Sequence, residues 1–226
     1  MISAPYTPPP LGRAHLAKVK SVEDPDSLGR VQVLLYACDG LADQNAPLWA
    51  RVAVPFAGAD RGAFLLPDVD DEVLVMFVDG DQRFPIVVGS LWNGRDAPPE
   101  SLPGDRVDRW TFTGKNGTRI GIIEASKGTE QVVIHTPNNA TITVDEAEGG
   151  EVLIEAGGTT VTVGPSGINV QTAGDVTMQA TRMSVTASNV EFNAGLVKCS
   201  TALQCTTLIA TTVTSGTYTL GAGNVL

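Results

Sequence analysis

Apolar and polar residues alternate along most of this chain, and what differs from region to region is how the alternation is interrupted. In the run VTMQATRMSVTASNVEFNAG, residues 176–195, apolar side chains fall at Val176, Met178 and Ala180, then at Met183, Val185 and Ala187, then at Val190, Phe192 and Ala194. The groups repeat every seven residues, but inside each group the spacing is two, not the three-and-four spacing of a coiled coil. Alternation at two puts three side chains on one face of a strand, and the two residues left over in each unit turn the chain. Thr, Val and Ser dominate the run, and β-branched side chains suit a pleated surface. A self-similar period of this kind marks an array in which each unit buries its apolar face only against its neighbours. The same register reaches Val197, Cys199 and Cys205. A triangular rung built on it takes either one unit from each of three chains or three successive units of one chain. The small Ala at the third inward position suits a narrow axis where symmetry-related side chains meet.

Upstream the texture differs. HLAKVKSV, GRVQVLLY, LWARVAV, DEVLVMFV and PIVVGSLW are five short alternating segments separated by turn signals such as EDPDSLG and VDGDQRF. They predict a compact five-stranded antiparallel barrel of the OB type over residues 14–94. Residues 1–13 are Pro-rich and read as an extended arm; residues 95–113, with three Pro and few apolar positions, read as a linker. From Gly114 aromatic residues almost vanish and alternation resumes in QVVIHT, ATITVD, EVLIEA and TTVTVG, so residues 114–226 are expected to form the repeating β structure. The expected fold class is all-β: an N-terminal barrel, then a C-terminal intertwined trimeric β-helix needle.

Composition narrows the function classes. A net charge of -10 and a pI near 4.6 argue against a nucleic-acid partner, since binding phosphate needs a basic face. No stretch approaches the roughly 20 apolar residues of a membrane helix, and the start MISAPYTPPPLGRAH lacks a signal-peptide core, so Sec-type export is not expected. Cys38, Cys199 and Cys205 form no CxxC pair, which fits a reducing compartment during folding.

One stretch carries a resemblance. RGAFLLPDVDDEVLVMFVDGDQRFPIVVGSLWNG is similar to the barrel of the baseplate assembly protein V and VgrG spike families, through Pro67, Asp71, Glu72, Val73, Phe77, Gly80, Asp81, Pro85, Val88, Gly89, Leu91, Trp92 and Asn93. GRVQV and ARVAVP extend the match upstream, and GKNGTRIGI resembles the junction between barrel and needle. The resemblance implies a homotrimeric central spike of a contractile phage tail or related injection system. Such a spike sits under the tail tube and a separate hub protein and crosses the target cell envelope on firing. It implies a part of a virion tail or injection-particle baseplate, assembled in the bacterial cytoplasm, with no enzymatic role. With residues 1–13 before the barrel and 95–113 after it, the resemblance implies the shorter phage-type spike, without the hub-like domain of VgrG proteins or an inserted lysozyme domain.

Two sets of candidate site residues emerge. The expected trimer core is Val176, Met178, Ala180, Met183, Val185, Ala187, Val190, Phe192, Ala194, Val197 and Cys199. The uncharged C terminus, YTLGAGNVL, offers Tyr218, Leu220, Val225 and Leu226 as a docking surface for a PAAR-like tip protein. Asp68, Asp70, Asp71 and Glu72, and Asp79 with Asp81, have the form of paired carboxylates, yet Asp and Gly are ordinary turn formers and no catalytic residues are assigned. His15 and His135 stand alone, no His follows His135, and neither a metal nor any other cofactor is expected. Two other classes remain open: a single-chain β-helix that processes polysaccharide, and an OB-fold binding module.

Overall fold

The computed structural model describes residues 14–38, 46–214 and 216. The chain divides into two units, Met1–Asp175 and Val176–Leu226. The proposed arm, residues 1–13, and the docking residues Tyr218, Leu220, Val225 and Leu226 lie outside the described residues.

The first unit opens with β1 (His15–Ser21), β2 (Val31–Leu35), β3 (Leu48–Val52), a small hairpin of β4 (Ala57–Gly58) and β5 (Arg61–Gly62), then β6 (Glu72–Phe77) and β7 (Pro85–Leu91). Strands β1, β2, β3, β7 and β6 close in that order into a barrel, with β3 and β7 parallel and the other pairs antiparallel. These are the five segments read from the alternation, with ends within two residues of those expected. One side chain in two points inward, and Ala17, Val19, Val31, Val33, Leu35, Ala50, Val73, Val75, Phe77 and Val87 form the buried core. Each fully buried Val contributes about 2 kcal/mol by leaving water. The register slips between Val19 and Ser21 and between Leu74 and Val75. Such bulges bend strands sharply, as a closed small barrel requires.

After the barrel come β8 (Arg109–Thr113), β9 (Arg119–Ile123), β10 (Gln131–His135), β11 (Thr141–Asp145), β12 (Glu151–Ala156), β13 (Thr159–Gly164) and β14 (Gly167–Gln171). They form a seven-stranded antiparallel meander in chain order. The turns explain why each strand pairs with its sequence neighbour. Gly157 and Gly158, both at positive φ (56° and 81°), make a two-residue turn whose twist matches a hairpin, and Pro165–Ser166 makes the next one. The sheet thus begins at Arg109, inside the span read as a linker, and takes up the first part of the span read as needle. Alternation in QVVIHT or TTVTVG specifies which side chains share a face. It does not say whether the neighbouring strand belongs to the same chain.

In the second unit no described residue is assigned to a strand, and all are exposed. The backbone bends at Thr181, Ser188 and Gly195, the positions where the seven-residue repeat requires a turn.

Candidate functional site: assembly surfaces

The carboxylates singled out by their sequence spacing are scaffold groups. The Asp68 carboxylate accepts from the Lys115 ammonium and from the amide of Val69 at 2.8 Å, and the Asp71 carboxylate accepts from the amide of Asp68 at 2.8 Å. Asp70, at φ 77°, pairs with Lys18 at 2.6 Å. Asp81 is held by Arg83 through both Nε and Nη2, the latter at 2.6 Å. These partners, Lys115, Lys18 and Arg83 respectively, hold the Asp68, Asp70 and Asp81 carboxyls below the usual carboxylate range. A general acid at neutral pH needs the opposite shift. Asp79 sits at φ 52° in the turn between β6 and β7. His135 faces Thr141 across the strand pair, Nδ1 to Oγ1 3.5 Å.

Asn93 ties the end of the barrel to the segment beyond β7. Its Oδ1 accepts from the amides of Arg95 (2.9 Å) and Asp96 (2.8 Å), and its Nδ2 donates to Glu72 at 3.2 Å. Farther on, Glu100 accepts from Arg119 at 2.6 Å and pairs with Arg109 at 3.6 Å, so the span read as a linker is fastened to β8 and β9. Arg119 holds the Glu100 carboxyl below its ordinary range.

The meander carries an apolar surface with no assigned partner. Residues opposite each other in a ladder lie on the same face. One row runs Trp110, Ile122, Val132, Val144, Val152, Val163, Ile168 across the seven strands. A second row beside it runs Phe112, Ile120, Ile134, Ile142, Ile154, Val161, Val170. Both rows are apolar at every strand. Adjacent strands lie about 4.8 Å apart, so the face extends roughly 30 Å. The opposite face carries mostly polar groups, among them Arg109, Arg119, Gln131, Thr143, Glu151 and Asn169. In the single chain the apolar rows face solvent: Phe112 is 67% exposed and Ile120 48%.

The sequence did not name these residues as a site. The signal is the alternation itself, which the sequence alone reads as the irregular start of the needle. The expected core positions Met178, Val185 and Phe192 are likewise exposed in the single chain, and Cys199 and Cys205 are free thiols at exposed positions. Among the described residues no group of His, Cys, Asp and Glu is placed to hold a metal ion, and no helix is long and apolar enough to cross a membrane.

Residues 15–92 match the family described as the type VI secretion system/phage-baseplate injector OB domain, a span that coincides with the closed barrel to within one residue. The chain is 32% identical over 130 residues to the type VI secretion system spike protein VgrG1c of Pseudomonas aeruginosa, covering 54% of this chain and 18% of that protein. It is 35% identical over 115 residues to the spike protein VgrG5 of the same organism, covering 49% of this chain and 15% of that protein. It is 30% identical over 116 residues to the spike protein VgrG3 of Vibrio cholerae, covering 49% and 11%. The chain thus spans less than a fifth of the length of these relatives. The spike-family resemblance carried by Pro67, Glu72, Gly80, Pro85 and Trp92 agrees with these matches. Asn93, one residue past the matched span, fastens the barrel's end to Arg95 and Asp96.

Proposed function

We propose that this chain is the subunit of a homotrimeric central spike of a contractile injection system, and that its work is mechanical. The observation that carries the reading is the meander's apolar face. Two full rows of Ile, Val, Phe and Trp on a soluble chain need a cover. Two further copies supply one of matching chemistry and extent, because three identical faces closing around an axis leave no edge of the apolar layer unpaired. The rungs from Val176 to Cys199 bury their inward positions in the same way. A single-chain β-helix would pair its own rungs and bury its own inward side chains, whereas Met178 and Phe192 are each 74% exposed in the isolated chain.

On this reading the barrels meet the hub protein and, through it, the tail tube. The needle crosses the target cell envelope, and a PAAR-like protein seats on Tyr218, Leu220, Val225 and Leu226. The particle is a virion tail or injection baseplate assembled in the cytoplasm. The chain performs no catalysis of its own and needs no cofactor, because its paired carboxylates serve as turn and ion-pair groups. The acidic charge of -10 sets nucleic acid aside as a partner of the barrel. Electron cryomicroscopy of the assembled full chain tests the reading. The expected density has three-fold symmetry with the Ile134 rows inside. Density with those rows facing solvent contradicts it, as does a lone chain whose successive rungs pair with each other.

A further inference from the structure

The repeat in the C-terminal unit changes length part-way along. Bends fall at Thr181, Ser188 and Gly195, seven residues apart, then at Ser200 and Thr201, and from there at Thr206, Thr211 and Gly216, five apart. The apolar positions change with them. In the long units the second, fourth and sixth residues after the bend are apolar, as Met183, Val185 and Ala187. In the short units only the second and fourth remain: Leu203 and Cys205, then Leu208 and Ala210. Neighbouring side chains separate accordingly, with Leu208 at 63% exposure and the out-of-register Ile209 at 93%.

We infer that the surface each chain offers to its two copies shortens from three inward side chains per rung to two beyond Gly195, so that the three-chain needle narrows there. The inference rests on the three-chain reading and adds the register of the needle's distal half. A strand rises about 3.3 Å per residue, so a side two residues shorter loses about 7 Å, and the enclosed space shrinks with it. The fourth-position side chain falls in size along the same stretch, from Phe192 through Cys199 and Cys205 to Ala210. A smaller fourth side chain suits a narrower interior, because a large one overpacks it, while the second position holds Val197, Leu203 and Leu208. The two cysteines then act as small apolar fillers on the way to Ala.

In-register and out-of-register deletions in the full chain test this. Removing residues 206–210 takes out one short unit, and removing 206–212 shifts everything beyond by two. Removing residues 181–187 takes out one long unit, and removing 181–185 breaks its register. The expected result is a trimer that survives SDS without boiling after the 206–210 and 181–187 removals, and loss of that resistance after the other two. As a second measurement that keeps the chain length, Cys205→Phe is expected to lower the melting temperature of the trimer far more than Val185→Phe. Equal behaviour of the 206–210 and 206–212 removals, whether both are tolerated or both lost, overturns the shortening, as does a Cys205→Phe trimer as stable as its parent. If the unaltered chain is a monomer, the three-chain reading falls and the shortening with it; if it is a trimer but the deletions fail to discriminate, only the shortening falls.

Discussion

Asp24 shows how one side chain shapes a loop of the barrel. Its carboxylate accepts from Arg30 Nε (3.0 Å) and Nη2 (2.6 Å) and from the amides of Leu28 (2.9 Å) and Arg30 (3.1 Å), closing the loop between β1 and β2 around a single residue. The Arg30 guanidinium, helped by those amides, holds the carboxyl far below its ordinary value. The unfolded group titrates near 4, so the pairing stabilises the barrel fully above that pH and is lost as pH falls below it. We expect Asp24→Asn to lower the melting temperature at pH 7 and to flatten the loss of stability below about pH 4; thermal melts across that range check both. His15 is the reverse case. It is buried edge-on against Phe77, ring centroids 5.5 Å apart, and its Nε2 finds no hydrogen-bond partner among the described residues. A buried unpaired donor or acceptor costs on the order of 1–3 kcal/mol, so His15→Leu is expected to be neutral or to stabilise by about 1 kcal/mol. A clear drop in the urea midpoint would reveal a partner for Nε2.

At the scale of elements, the meander's two faces make opposite predictions from neighbouring strands. Ile134→Asp places a carboxylate in the apolar layer once per chain, at a cost of several kcal/mol each, and is expected to abolish the trimer. Thr143→Lys, on the polar face, is expected to change stability by no more than about 0.5 kcal/mol. Size-exclusion chromatography of both variants checks the pair, and a trimeric Ile134→Asp protein places the interface elsewhere. These elements also show what the sequence discloses. Alternation with turn signals marked every barrel strand, because turn chemistry such as EDPDSLG and the burial of one residue in two are both local. The apolar rows were visible only as fragments: that Ile134 stands opposite Ile120 and Ile142 is a fact of pairing, and pairing is set by turns such as Gly157–Gly158. Pro content signals extension without signalling what the segment docks on, here Glu100 against Arg109 and Arg119.

At the scale of the whole molecule, the acidic chain of 226 residues combines a closed, self-sufficient barrel with two regions whose apolar side chains are exposed in isolation. On the proposed reading the barrel's core is complete in the single chain and the two exposed regions are covered on assembly. On the proposed reading, deleting residues 217–226 abolishes capture of a PAAR-like protein while leaving the trimer intact, and undiminished capture by the truncated chain moves the docking surface elsewhere. On the proposed reading two further copies cover the rows around Ile134 and the inward positions around Val185. Native mass spectrometry of the full chain measures this most directly. The expected result is a single species at three times 23.6 kDa, dissociated by Ile134→Asp. A soluble, stable species at 23.6 kDa would contradict it.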